Sequence, residues 1–316
     1  MSARFDSQLD ASLAACHRLA DSHYENFHVL SGLVPKRFRD DFSVLYSFCR
    51  AADDAADERE SPELALAELN ALRSVLQCLE SEPGMTNLRT GSVAYPFMPF
   101  VYAWQDLIHR YCLPVELFYK LLDAFVQDQY KNRYETWEEV LDYCTGSADP
   151  VGRLVLLITN PESHRSPDDD IDTYFSLSDA TCTALQLTNF WQDVSRDYLD
   201  RDRIYIPQVV MRKFDLNEDD LGEMIHGKKA DERFIAMERY LVEYTEGLFE
   251  RGRGLWPHLN PAIRPVIQLF TEGGEFILRE IRKRDYDVLA MRPTLSKGRK
   301  AQLYLKTRVA TIFHRG

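Results

Sequence analysis

The sequence predicts an all-α protein, and three observations carry that prediction. Apolar residues recur at helical spacing along most of the chain, and strand-type alternation is almost absent. Pro35, Pro62 and Pro114 each open an amphipathic stretch, where a proline suits the first turn of a helix. The tetrapeptide TWEE, Thr136–Glu139, has the capping-box pattern of a threonine and a glutamate three residues apart. Turn residues and charges replace the periodicity at 81–92, 159–170 and 198–207. None of these breaks is long or biased enough to be a linker, and no internal repeat is visible. The expectation is roughly ten or more helices in one domain, residues 1–316.

Composition excludes several functions. The 316 residues are 45% apolar and 28% charged, as in a soluble globular protein. A net charge of −12 argues against nucleic acid as a partner. That charge is uneven: Arg279–Gly316 holds eleven Lys and Arg against three Asp and Glu. The surplus reads either as a solvated basic tail or as a peripheral contact with an anionic membrane. The cysteines at 16, 49, 78, 112, 144 and 182 are scattered, with no CxxC and no zinc spacing. Reduced thiols in a cytoplasmic compartment are expected. The start MSARFDSQLD lacks the apolar core of a signal peptide, and no apolar run reaches the ~18 residues that span a bilayer.

The segment CRAADDAADE, Cys49–Glu58, sets four acids within six residues. Its neighbours are good helix formers, so Asp53 and Asp57 share a face. Two carboxylates ~6 Å apart at an effective dielectric of about 20 repel by roughly 3 kcal/mol, and far less in open water. Extended backwards, Tyr46, Arg50, Asp53 and Asp57 form one stripe bordered by Leu45, Phe48, Ala51, Ala52 and Ala55. One such stripe fits a solvated acidic face or a carboxylate pair that holds a cation.

A second stripe favours the cation. ALQLTNFWQDVSRD, Ala184–Asp197, aligns Gln186, Asn189, Asp193 and Asp197 among Leu185, Leu187, Phe190, Trp191 and Val194. Two Asp-x-x-x-Asp pairs in apolar surroundings need compensation. Magnesium suits them, because it takes carboxylate oxygens and keeps water and phosphate oxygens in its shell. Two such pairs, with Arg50 and Arg203 as donors, are expected to hold a diphosphate. The competing motif GEMIHGKK, from Gly222, lacks a preceding strand and has Lys229 where a phosphate loop needs Ser or Thr, so it reads as a surface turn.

YSFCRAADDAADE, together with LTNFWQDVSRDYLDRDRIYIP, resembles the paired aspartate motifs of the squalene/phytoene synthase family. The likeness runs from HYENF (23–27) through YCTGSADPVGRL (143–154) to RPTLSKGRK (292–300). It implies an all-α isoprenoid synthase fold, a single helical bundle around a central cavity. It also implies magnesium and an isoprenoid diphosphate substrate. Asp53 and Asp57 match the first metal-binding pair, Asp193 and Asp197 the second. Arg50, Arg203 and Arg292 match diphosphate contacts. Tyr46, Tyr143, Gln186, Asn189 and Tyr205 match catalytic cavity positions, and Phe27, Phe190 and Tyr143 are expected to line the cavity with aromatic faces.

Two positions depart from the pattern. Glu25 stands where many members are rich in Ser and Lys, and Gln192 stands where Arg is common. A site with fewer cations should hold one diphosphate better than two. HYENF, NFWQD and SADPVGRL resemble the bacterial hopanoid-pathway branch, which turns presqualene diphosphate into hydroxysqualene. Other enzymes of that pathway are the partners this implies. The alternatives are a head-to-head condensing synthase, a non-catalytic assembly relative, and a chain-elongating prenyltransferase, whose DDxxD pattern Asp53, Asp54 and Asp57 also satisfy.

Overall fold

Helices make up the regular structure of the computed structural model, which describes residues 2–22, 33–81, 95–160 and 170–294. They are α1 Ser2–Ser22, α2 Arg39–Asp57, α3 Pro62–Ser81, α4 Val101–Tyr111, α5 Val115–Gln127, α6 Trp137–Ser147 and α7 Asp149–Thr159. There follow α8 Ile171–Gln192, α9 Val194–Arg201, α10 Gln208–Lys213, α11 Glu218–Gly227, α12 Glu232–Gly252 and α13 Arg264–Lys283. Three 3-10 turns supplement them. Among the described residues the β contribution is one isolated parallel bridge, Arg133 to Ile204. No described helix is long and apolar enough to cross a membrane.

The local signals act much as elementary chemistry requires, with three differences. Pro62 is the first residue of α3, whereas Pro35 and Pro114 cap the helical turns that follow them. Thr136 caps α6 by accepting from the Glu139 N–H at 3.3 Å. The Glu139 carboxylate reaches back one residue further than a capping box demands, to the Glu135 N–H at 3.0 Å. Gly222–Gly227 belongs to α11 rather than to a surface turn, and the turn comes at Lys228, in the left-handed region at φ 52°.

The chain divides into two compact units. The first, Met1–Tyr130 with Arg153–Asp169, packs α2 against α1, α3 and α5. On α3, Ala65, Leu69, Leu72, Leu76 and Leu79 are buried at spacings of four and three, one continuous stripe. Each such leucine contributes about 1.5–3 kcal/mol of burial. Phe48 of α2 meets Trp104 and Phe118 edge-on, at ring separations of 5.2 and 4.9 Å. The Trp104 indole donates to Ser47 at 2.9 Å and fixes the rotation of α2.

The second unit, Lys131–Gly152 with Asp170–Gly316, is built on the pairing of α8 with α12. Trp191, fully buried, donates from its indole to Thr245 at 2.8 Å. Further along, Thr181 lies against Gly252. With Ala184 and Thr188 also buried, this face of α8 is spent on α12. At 100° per residue, Gln186, Asn189 and Asp193 point to the other side, roughly 180° away.

Gly252 is there for space. A Cβ at this position would stand 3.2 Å from both the Cβ and the backbone nitrogen of Thr181. Gly247, on the same helix, would meet nothing within 4 Å. Gly252→Ala is expected to destabilise the protein by about 1–3 kcal/mol through overpacking. Gly247→Ala should stabilise it by about 0.5–1 kcal/mol through helix propensity. Urea denaturation of the two variants checks both signs.

Candidate active site

In the first unit, α2 carries Tyr46, Arg50, Asp53 and Asp57 on one side. Its other faces bury Val44, Leu45, Phe48, Ala51, Ala52, Ala55 and Ala56. Arg50 is the centre of charge. It donates to Asp53 at 2.9 Å and to Glu58 at 3.0 Å, and it pairs with Asp54. Burial works against its charge, but Asp54 and Asp53 outweigh burial and hold its pKa above the ordinary arginine value. Tyr46, half-buried, has its hydroxyl pKa raised by burial, with Arg50 opposing. Asp57 is exposed at the end of the helix. Phe27 and Glu25 lie outside the described residues, as do residues 295–316 of the basic segment.

In the second unit the stripe 186–197 is not one continuous helix. α8 ends at Gln192, and Asp193 takes φ −108° and ψ 16° before α9 begins at Val194. The bond ladder still spans the break: Asp193 N–H donates to Asn189 O at 2.9 Å and Asp197 N–H to Asp193 O at 2.8 Å. The two aspartates therefore keep their one-turn relation. The break falls beside two tethers, Trp191 to Thr245 and Gln192 to the carbonyl of Pro293. Gln192 is thus a buried anchor for residues 292–293, a role invisible in the sequence.

Arg292 grips Asp193 with both arms of its guanidinium; the Nη2–Oδ2 distance is 2.8 Å. The Asp197 carboxyl is pushed up to about 7, first by burial and then by the negative charge of Asp193. Arg201 and Arg203 pull the other way without cancelling this. Arg203 is buried, and its backbone N–H donates to Asp197 O at 2.9 Å. Gln186 is half-buried and Asn189 exposed.

Four aromatic rings cluster in this second unit. Tyr205 stacks on Phe190 at 3.8 Å and 6°. Tyr143 meets Phe190 at 6.0 Å and Tyr205 at 5.6 Å. The fourth ring, Tyr134, lies 5.6 Å from Tyr205 and 5.7 Å from Tyr143. Sequence reading passed over Tyr134 because it lies in the irregular stretch before α6, where no periodicity marks an inward face. The mutual stacking of Phe190 and Tyr205 uses one face of each ring.

The donors suit a hard divalent cation. Every candidate ligand is a carboxylate, and burial, with the nearby charge of Asp193 second, moves the Asp197 carboxyl far above its usual range. Among the described residues no three Asp, Glu, His or Cys side chains converge to hold a metal by themselves. Pairs are what an ion that retains water and phosphate oxygens requires.

Comparison with known proteins identifies the family. The squalene/phytoene synthase family model matches residues 20–299. The hydroxysqualene synthase of Zymomonas mobilis is 36% identical over 200 residues, which span 63% of this chain but only 60% of that protein. The hydroxysqualene synthase of Rhodopseudomonas palustris is 34% identical over 73% of this chain and 70% of its own. The crystal structure of squalene synthase HpnC from Alicyclobacillus acidocaldarius superposes with a TM-score of 0.75 at 36% identity, covering 89% of this chain and 96% of that one. A dehydrosqualene synthase crystallised with a ligand shares the fold, with a TM-score of 0.77 at 22% identity and coverage of 96% and 97%. The chain belongs to the squalene/phytoene synthase family and is an isoprenoid synthase enzyme with the isoprenoid synthase fold.

Proposed function

We propose that this enzyme converts presqualene diphosphate to hydroxysqualene. One observation carries the reading above the others: a partly buried aspartate pair shares a single unit with Arg203, Arg292 and four clustered aromatic rings. The likeness to hydroxysqualene synthases at 31–36% identity supports the choice of branch. In this reading Asp53, Asp57, Asp193 and Asp197 are the magnesium ligands. Bound magnesium would supply positive charge that favours departure of the diphosphate.

The chain's own residues do the rest. Arg50, Arg203 and Arg292 donate to diphosphate oxygens as the cyclopropylcarbinyl C–O bond breaks and its electron pair leaves with the diphosphate. Tyr143, Tyr205 and Phe190, joined by Tyr134, present aromatic faces and edges to the rearranging carbocation and keep bulk water away. Tyr46, Gln186 and Asn189 supply polar groups at the border of that apolar space. One admitted water forms the new C–O bond and loses a proton, so no reductant is consumed.

The reading is tested by offering the purified protein presqualene diphosphate or farnesyl diphosphate with magnesium, with and without NADPH, in ¹⁸O-labelled water. Rapid formation of a labelled alcohol from presqualene diphosphate without NADPH is expected. Efficient condensation of farnesyl diphosphate would favour a condensing synthase, and an unlabelled alcohol would refute water capture.

The carboxylates yield a second expectation. Asp53→Asn or Asp197→Asn should lower turnover by more than the ~10–100-fold typical of outer-shell partners of metal ligands. The melting temperature of Asp197→Asn should hold steady or rise, because that change removes a carboxylate that burial and Asp193 both disfavour. Full activity in either variant counts against the metal-ligand roles.

Arg292 gives a third. It offsets the charge of Asp193, so a cation arriving there must displace it. Arg292→Gln should therefore bind magnesium alone several-fold more tightly and inorganic pyrophosphate several-fold more weakly. Calorimetric titration with each ion separately measures the two effects, and a parallel loss of both would contradict the exchange.

A further inference from the structure

Arg133 lies on no stripe and in no motif, yet its guanidinium is among the most heavily bonded in the second unit. Its Nε donates to both carboxylate oxygens of Glu218 at 3.0 Å. Nη2 donates to Asp202 Oδ1 at 2.7 Å. Nη1 donates to the Asn132 carbonyl at 3.0 Å and to the backbone carbonyl of Asp202. The neighbouring Asn132 amide takes the second Asp202 oxygen at 3.0 Å. The Ile204 N–H returns to the Asn132 carbonyl at 2.9 Å.

The bonds to Asp202 and the one from Ile204 converge on one turn. Asp202 closes α9 in the left-handed region, at φ 52° and ψ 41°, a helix-end conformation that costs most L-residues energy and that aspartate tolerates better than most. The next residue, Arg203, goes inward with only 9% of its surface exposed. Two residues later Tyr205 stacks on Phe190, and its other neighbour is Tyr134, the residue that follows Arg133. The same short segment thus anchors the turn from outside and pads the ring that Tyr205 occupies.

We infer that Arg133 is a positioning residue for diphosphate binding: its fork fixes the Asp202 turn and so aims Arg203, without itself touching substrate. This rests on the proposed role of Arg203. A lysine cannot reproduce it, because one ammonium cannot span Glu218, the Asp202 carboxylate and the Asp202 carbonyl at once.

The test is a double-mutant cycle on the affinity of the full chain for inorganic pyrophosphate with magnesium, read by calorimetry beside thermal melting. Arg133→Gln should weaken binding about tenfold, as loss of an outer-shell partner does. Arg203→Lys should weaken it at least as much. The double variant should be no weaker than Arg203→Lys within about twofold, because Arg133 acts through Arg203. Arg133→Lys covers the case in which the glutamine variant folds poorly: it should recover the melting temperature but not the affinity. Additive losses, or recovery of affinity by lysine, would overturn the positioning role while leaving the functional reading intact. Failure of the unaltered chain to bind pyrophosphate with magnesium would overturn both.

Discussion

Aspartates one helical turn apart, drawn partly out of water, impose the constraint on which the rest of this structure depends. Their repulsion grows as the surroundings become drier, and Asp197 is pushed to about 7 first by burial and then by the charge of Asp193. The chain answers with guanidinium forks. Arg50 gathers Asp53, Asp54 and Glu58 on α2, and Arg292 takes Asp193. Arg133 does the same for Asp202 and Glu218. Arginine suits the task because its charge is permanent and its donors are planar and paired.

Apolar packing decides where those charges point. On α8, Thr181, Ala184, Thr188 and Trp191 are buried, and Trp191 is pinned to α12 through Thr245. That choice of face leaves Gln186 and Asp193 on the opposite side, so a helix–helix contact with no chemistry of its own orients the acidic stripe. In the first unit the Ser47–Trp104 bond and the edge-on rings around Phe48 do the same for α2. Side-chain hydrogen bonds inside an apolar contact carry specificity here, because an unmade bond at Trp191 or Trp104 would leave a buried donor unsatisfied.

Charge balance and packing meet at the break between α8 and α9. A straight helix would keep Asp193 on the α8 axis. Instead Asp193 leaves helical geometry, while Gln192 is tethered to Pro293 and Arg292 closes on the freed carboxylate. Gln192 is thereby a neutral anchor whose bond to Pro293 keeps Arg292 beside Asp193.

The sequence alone indicated the all-α class, the apolar borders of the stripes on α2 and α8, and the i, i+4 relation within each aspartate pair. These follow from the helical period, which any short window of sequence contains. The tertiary structure decided which cation meets which acid. Arg292 stands 99 residues from Asp193, and Arg133 stands 85 residues from Glu218. Tyr134 joins the aromatic group, and Asp202 adopts its left-handed turn, through contacts between irregular segments. Such segments have no period to read. Their geometry exists only once distant hydrogen bonds close, and no local pattern of residues specifies a partner that far along the chain.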